Sequence, residues 1–371
     1  MYTEKDMVRI AKRENNAKRS YLVVNQLQGK HIPVKPSDAF AMFDALAEQI
    51  KDIYSGERLL LIGFAETATA IGASVAGKLQ TLYMQTTREI IPDAEYLFFS
   101  EEHSHATEQK LVKNDLDEVS ESIDRIIFVE DEVTTGKTIL NIIDILKKQY
   151  PQIQKYAVAS ILNGMNEEAL QRYGENEIDL HFLVKTNHES YAEIADTYEC
   201  DGKYVCAAPN SEDMKDEISY LEAHSYLNAR RLVDIEAYLN ANKVLWETII
   251  NKIDFALYRR ILVLGTEEFM YPALFVAREL EESGKEVRCH STTRSPIAVS
   301  KAETYPLHTR YELKSLYDGD RTTFIYEIGN YDCTIILTDS VSEDRQGLDS
   351  LLGALRMNGN RKIYVVRWCQ K

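Results

Sequence analysis

Two apolar runs that each end in glycine, Leu59-Leu60-Leu61-Ile62-Gly63 and Ile261-Leu262-Val263-Leu264-Gly265, constrain the fold of this chain more than any other feature. Runs without polar alternation belong to strands buried on both faces. A helical pattern follows each, at residues 67–79 and 271–281. The first of these helices carries small residues over much of its surface: Ala68, Ala70, Gly72, Ala73, Ala76 and Gly77. Further strand-like runs lie at 82–85, 126–129 and 156–162, and again at 287–290, 334–337 and 362–366. Residues 139–146 and 348–356 read as helices. Apolar strands alternating with helices imply an α/β fold with doubly wound, mainly parallel sheets covered on both faces.

The two halves line up. Residues 58–63 pair with 260–265, Thr86-Thr87-Arg88 pairs with Thr292-Thr293-Arg294, and residues 127–131 pair with 336–339. The order and rough spacing agree, which points to two copies of one architecture. Residues 1–58 form an N-terminal segment with a strand at 21–24, then Gly29-Lys30-His31-Ile32-Pro33. Ser37 is placed to cap a helix with apolar positions Phe40, Phe43, Leu46, Ala47 and Ile50. Residues 212–256 read as a charged, helical connector.

Bulk properties exclude several classes. The chain has 371 residues, 44% of them hydrophobic, which is enough for two cores of ordinary size. No apolar run reaches the length of a membrane span, and the N-terminus opens charged, so neither a membrane span nor a secretory signal is expected. Cys200, Cys206, Cys289, Cys333 and Cys369 are scattered and never form a C-x-x-C pair, which favours reduced thiols in a cytoplasmic protein. A net charge of −16 disfavours nucleic-acid binding. The one dense basic stretch is Arg9, Lys12, Arg13, Lys18 and Arg19, and it reads as helix-surface charge.

The chemistry concentrates in Val129-Glu130-Asp131-Glu132-Val133-Thr134-Thr135-Gly136-Lys137-Thr138. A strand delivers Glu130 and Asp131 at its carboxyl end, where open α/β sheets bind ligands. Thr134, Thr135, Gly136, Lys137 and Thr138 then turn into a helix, whose N–H groups and hydroxyls suit a phosphate. The paired carboxylates suit the vicinal hydroxyls of a ribose and a hydrated Mg²⁺. Together they meet the demands of a ribose 5-phosphate. The ending Gly136-Lys137-Thr138 also fits a nucleoside-triphosphate loop, but that motif needs glycine where Asp131 stands.

These residues resemble the motif of type I phosphoribosyltransferases: an apolar strand, two acids, two variable residues, then Thr-Thr-Gly-x-Thr. Glu130 departs from it, since aspartate is commoner there. Gly63-Phe64-Ala65-Glu66-Thr67-Ala68-Thr69, Glu101-Glu102-His103-Ser104-His105-Ala106 and Thr293-Arg294-Ser295-Pro296 extend the resemblance to nearly the whole chain. It is similar to the two-domain proteins of tellurite-resistance-type gene clusters. In those, an orotate-phosphoribosyltransferase-like domain precedes a domain named for its Thr-Arg-Ser-Pro motif. The resemblance implies a phosphoribosyltransferase domain with an N-terminal hood at 1–211, a helical connector at 212–256, and a degenerate phosphoribosyltransferase-like domain at 257–371.

The resemblance also distributes roles. Glu130 and Asp131 would hold the ribose diol and Mg²⁺, and residues 134–138 the 5′-phosphate. Glu66, Thr67 and Ala68 lie in the pyrophosphate loop, with Thr87 and Arg88 beside it. His103 and His105 would act from a mobile lid. Lys30 and His31 are candidates for the hood over the acceptor base. Thr293, Arg294 and Ser295 would bind a ligand of the second domain, whose loop at 338–347 has lost Thr-Thr-Gly-x-Thr.

The expected activity is therefore Mg²⁺-dependent transfer of a phosphoribosyl group from 5-phosphoribosyl-1-pyrophosphate to an unidentified base-like acceptor, or the reverse. The product would be a nucleoside-like metabolite of a stress response. The rival reading is a non-catalytic regulator that binds phosphoribosyl pyrophosphate or a nucleotide. A homodimer, and partner proteins from the same gene cluster, are also expected.

Overall fold

The computed structural model describes residues 2–14, 19–100, 108–206 and 217–370. It divides into two compact units. The first holds Met1–Glu4, Phe40–Asn187 and Leu227–Asn240; the second holds Lys5–Ala39, His188–Tyr226 and Ala241–Lys371.

The chain opens with α1 (Glu4–Met7), an antiparallel pair β1 (Val8–Lys12) and β2 (Tyr21–Asn25), and α2 (Pro36–Glu48). There follow β3 (Leu59–Gly63), α3 (Thr69–Leu79), β4 (Leu82–Gln85), the antiparallel pair β5 (Tyr96–Ser100) and β6 (Glu108–Val112), and α4 (Lys113–Val119). Next come β7 (Arg125–Val133), α5 (Lys137–Gln149), β8 (Lys155–Asn163), α6 (Glu167–Glu175) and β9 (Ile178–Lys185). The middle of the chain supplies α7 (Tyr191–Asp196), β10 (Lys203–Cys206), β11 (Glu217–Ala223), β12 (Val233–Asp234) and α8 (Ile235–Ile250). The remainder is β13 (Arg260–Gly265), α9 (Tyr271–Glu282), β14 (Glu286–Ser291), β15 (Thr309–Lys314), β16 (Thr322–Tyr326), β17 (Cys333–Thr338), α10 (Gln346–Met357) and β18 (Lys362–Trp368).

The first unit is built on β4–β3–β7–β8–β9, parallel throughout, with β12 added antiparallel at the β4 edge. The second is built on β14–β13–β17–β18–β11, also parallel throughout. The orders agree strand for strand. The fifth strand is the exception in chain order, because β11 precedes β13 in sequence. Each unit also inserts an antiparallel pair, β5–β6 or β15–β16, between its second and third strands.

The described part of the expected helical connector, residues 217–256, is thus not mainly helical. It gives β11 to one sheet and β12 to the other, with α8 behind them. Ile218 and Leu221 lie on β11 among charged neighbours, and Ile218 packs on the core of Leu262, Leu264, Ile336 and Val365. The N-terminal segment also packs elsewhere than expected. Ala11 and Val24 join Ile297, Val299, Leu307, Phe324 and Tyr326 in a core of the second unit. Lys5–Ala39 accordingly belongs to the second unit. Arg9 and Lys12 stand on a strand, not on a helix surface. Ser37 does not cap α2; its amide and hydroxyl both donate to Glu281, at 2.7 and 3.0 Å.

Close helix–sheet contact explains the small residues of α3, where residues 69–76 are all buried. A Cβ on Gly72 would meet the Gly63 Cα at 2.9 Å, so glycine faces glycine where helix and strand touch. Leu227–Asn240 is tied to the same unit by a charge pair. Asp115 of α4 is buried and accepts from Arg231 Nε and Nη2, at 2.8 and 2.6 Å, and from the Leu232 amide at 2.7 Å. Asp115→Ala is expected to lower the stability of the first unit by about 2–3 kcal/mol in urea unfolding. That is below the full cost of breaking a buried pair, because Arg231 keeps part of its surface in water. An unchanged midpoint would show that the tether does not hold. Among the described residues, no helix is long and apolar enough to cross a membrane.

Candidate functional site

The pairing of β7 sets the site. Its ladder with β3 ends at Gly63↔Val129, while its ladder with β8 continues to Val133↔Asn163. Residues 130–133 therefore project past the end of β3, at the carboxyl edge of the sheet. The chain leaving β3 turns in the space this creates. Phe64 N donates to Val129 O at 3.0 Å, and Ala68 N to Phe64 O at 2.9 Å. The Ala65–Glu66 peptide is cis. Thr67 then places its hydroxyl 2.8 Å from Asp131 Oδ1. That hydrogen bond joins the two loops that the sequence singled out separately.

Asp131 is half-buried as a residue, yet its carboxyl is well withdrawn from water. Burial pushes it up to about 6, the hydrogen bond from Thr67 works against that shift, and the neighbouring Glu132 charge adds to it. Glu130 is likewise half-buried, and its charge contributes to raising the phenol of the fully buried Tyr173. Among the described residues, no three His, Cys, Asp or Glu side chains gather as a metal site. Two adjacent carboxylates at a strand end fit another mode, in which Mg²⁺ is shared between one or two carboxylates, substrate oxygens and water.

After β7 the chain bends through Thr134 and Thr135 and enters α5 behind Gly136. Gly136 has φ +69°, the left-handed region that glycine tolerates. A Cβ there would lie 2.5 Å from the Tyr173 ring and 2.7 Å from Met165 Cε. Tyr173 Oη also donates to Gly136 O at 2.7 Å. The turn is therefore pressed onto α6, with Thr134, Thr135 and Thr138 half-buried around it and Lys137 exposed. The first-turn N–H groups of a helix carry partial positive charge and suit a phosphate.

The loop at 63–69 is pinned by buried polar side chains. Ala65 N donates to Thr86 Oγ1 at 2.8 Å, Thr86 Oγ1 donates to Gln109 Oε1 at 2.9 Å, and Gln109 Nε2 donates to Ala65 O at 2.6 Å. Glu66 and Ala68 are buried beside this ring, and Ala68 stands at the N-cap of α3 without a side-chain cap. Thr87 is buried and turns the next corner, accepting from Glu89 N at 3.0 Å. Arg88 follows it, half-buried. The structure thus gathers Glu66, Thr67, Ala68, Thr87, Arg88, Glu130, Asp131 and residues 134–138 at one sheet edge. Gln109 was missed, because a lone glutamine carries no motif. His103 and His105 lie outside the described residues, between β5 and β6.

Lys30 and His31 were expected at the acceptor base, but both are buried in the second unit. Lys30 Nζ donates to Glu267 O and Thr292 O, each at 2.8 Å. Thr293 is buried and accepts from Ser295 N at 3.2 Å. Arg294 is half-buried. Its guanidinium pairs with Glu267 at 2.7 Å and Glu268 at 3.6 Å. Arg321 Nη1 and Ser315 Oγ also bind the Glu267 carboxylate, at 2.9 and 2.5 Å. Asp339, which the strand registers place at the position of Asp131, accepts from Tyr226 and Tyr317, at 2.8 and 2.6 Å.

Comparison with known proteins follows this geometry. A family model described as phosphoribosyl transferase matches residues 7–193, and one described as a TRSP domain C-terminal to it matches residues 239–355. No curated relative matches the sequence. Similar solved structures include adenine phosphoribosyltransferase from Rhodothermus marinus, with 13% identity, a TM-score of 0.35, and coverage of 49% of this chain and 96% of that one. The enzyme from Thermoanaerobacter pseudethanolicus gives 17%, 0.34, 49% and 97%. That from Giardia lamblia, complexed with 9-deazaadenine, gives 14%, 0.34, 49% and 94%. Such scores carry no inference about substrate. The family match, over 7–193 of 371 residues, is sufficient: the chain belongs to the phosphoribosyl transferases, an enzyme family of the pentosyl-transferring class, and carries a TRSP domain behind its transferase domain.

Proposed function

We propose that the first unit moves a 5-phosphoribosyl group between pyrophosphate and a base-like acceptor. In the forward direction the bond from the anomeric carbon to the pyrophosphate oxygen breaks, and its electron pair leaves with pyrophosphate. The acceptor nitrogen forms the new bond to that carbon and releases its proton. Asp131 and Glu130 accept hydrogen bonds from the ribose hydroxyls. Residues 134–138 hold the 5′-phosphate at the start of α5. The loop at 63–69, with Thr87 and Arg88, holds pyrophosphate. His103 and His105 are assigned to the leaving group from between β5 and β6. Glu130 and Asp131 would hold Mg²⁺ carried with the substrate, which would supply charge neutralisation for the leaving pyrophosphate. Positive charge developing at the anomeric carbon makes positioning the main task of these residues.

The observation that carries this reading is the hydrogen bond from Thr67 to Asp131, 2.8 Å long. It sets the ribose acid and the pyrophosphate loop side by side, as a substrate with both groups on adjoining carbons requires. Pyrophosphate release from phosphoribosyl pyrophosphate and Mg²⁺, across a panel of nucleobases and related heterocycles, tests it. Acceptor-dependent release is expected, and failure to bind phosphoribosyl pyrophosphate would overturn it.

The second unit is proposed as a degenerate copy of the same architecture. Matching sheet orders support this, and so does the fate of its charges. Where the first unit leaves Ala65, the second carries Glu267, whose carboxylate occupies Arg294 and Arg321. No phosphoribosyl site is assigned there. Thr293, Arg294 and Ser295 are read as structural support for that loop rather than as ligand groups. A homodimer, partners from the same gene cluster and a stress-response metabolite are proposed from the sequence resemblance, and a cytoplasmic location from the scattered cysteines.

A further inference from the structure

The loops after β3 and β13 are held by corresponding bonds. Thr86 N donates to Gly63 O at 3.0 Å, and Thr292 N to Gly265 O at 3.2 Å. Ala65 N donates to Thr86 Oγ1 at 2.8 Å, and Glu267 N to Thr292 Oγ1 at 3.0 Å. Thr87 bridges to Lys110, and Thr293 to Phe324. The carbonyls of Ala65 and Glu267 also correspond. Each is met by a fully buried side-chain donor, but not by the same one: Gln109 Nε2 at 2.6 Å in the first unit, Lys30 Nζ at 2.8 Å in the second. The demand at this carbonyl recurs while its solution differs. Filling a void would not need a donor at the same atom twice.

We propose that Gln109, acting through Thr86, is a positioning residue for the pyrophosphate loop of the first unit. It does not touch the substrate. Its amide donates to the Ala65 carbonyl, and its carbonyl accepts the Thr86 hydroxyl that in turn receives the Ala65 amide. Both polar groups of that peptide residue are thereby fixed, and with them the direction in which the chain presents Glu66, Thr67 and Ala68. Gln109 is the second residue of β6, the strand that follows residues 101–107. The setting of the hairpin and the shape of the loop are therefore linked through one side chain. Replacing it leaves the 5′-phosphate turn at 134–138 untouched and disturbs only the pyrophosphate end.

This inference rests on the reading that the first unit binds phosphoribosyl pyrophosphate, and the test separates the two. Calorimetric titrations use phosphoribosyl pyrophosphate with Mg²⁺, pyrophosphate with Mg²⁺, and ribose 5-phosphate. The proteins are the full chain and its Gln109→Met, Thr86→Val and Thr86→Ser variants. Misplacing a positioned group by about 1 Å can cost about 100-fold. Gln109→Met and Thr86→Val are expected to lose roughly 10–100-fold for the two pyrophosphate ligands. Their affinity for ribose 5-phosphate should stay within about threefold of wild type, as should all affinities of Thr86→Ser, which keeps the hydroxyl. If Gln109→Met fails to fold, Thr86→Val carries the same comparison. Equal losses for all three ligands, or none, would overturn the positioning role. A wild-type chain that binds ribose 5-phosphate and not phosphoribosyl pyrophosphate would overturn the functional reading, and this inference with it.

Discussion

Asp131→Asn is expected to weaken phosphoribosyl pyrophosphate binding strongly while making the first unit more stable. A carboxylate that accepts from two ribose hydroxyls contributes about 2–4 kcal/mol beyond what an amide supplies. The affinity should therefore fall by roughly 30–1000-fold. Stability should move the other way. Burial pushes the Asp131 carboxyl up to about 6, above its value of 3.8 in the unfolded chain. A folded-state value above the unfolded one means that ionisation disfavours the fold, with the cost growing from pH 4 to 6 and complete above that. At neutral pH the cost is on the order of 1–3 kcal/mol. An amide removes that charge and can still accept the Thr67 hydroxyl, so the melting temperature should rise by a few degrees. A variant that melts lower than wild type would show that the ionised carboxylate is part of the fold rather than a group held ready for a ligand.

The second large effect belongs to Gly136→Ala. The left-handed φ of +69° costs an alanine about 1–2 kcal/mol. The new methyl would also stand 2.5 Å from the buried Tyr173 ring, so the turn must lift away from α6. A lifted turn no longer presents residues 134–138 and the start of α5 together. Affinity for ribose 5-phosphate and for phosphoribosyl pyrophosphate should fall together, by about 100-fold or more. Pyrophosphate alone should bind as before. This is the opposite selectivity to that expected at Gln109, so the two variants divide the site into its two ends. Loss of pyrophosphate binding in Gly136→Ala would show that the turn supports the whole edge of the sheet.

Most of the parallel framework was legible because strands buried on both faces write themselves as unbroken apolar runs. Residues 59–63 and 261–265 are examples, each with its terminal glycine. The antiparallel pairs were not legible. β6 reads Glu-Gln-Lys-Leu-Val and β15 reads Thr-Arg-Tyr-Glu-Leu-Lys, half polar, as hairpin strands with one wet face must be. At the site, the acids and the Thr-Thr-Gly-x-Thr turn stood out because strand, turn and helix start are consecutive in the chain. Thr67 was expected at the pyrophosphate, and its bond to Asp131 spans 64 residues, which no spacing rule reaches. Lys30 was misplaced for the same reason. Its partners at 267 and 292 lie more than two hundred residues away, and a lone lysine after a glycine gives no sign of them. Arg294 was read as a ligand group from its motif, but the buried acids Glu267 and Glu268 that claim it are far from it in sequence.

The most direct test of the account counts sites. Titration of phosphoribosyl pyrophosphate with Mg²⁺ into the full chain should give one site per chain. Asp131→Asn should weaken it by roughly 30–1000-fold, and Asp339→Asn, at the corresponding strand end of the second unit, should leave it intact. A second site, or binding that survives Asp131→Asn and disappears with Asp339→Asn, would contradict the assignment of phosphoribosyl chemistry to the loop at 129–138.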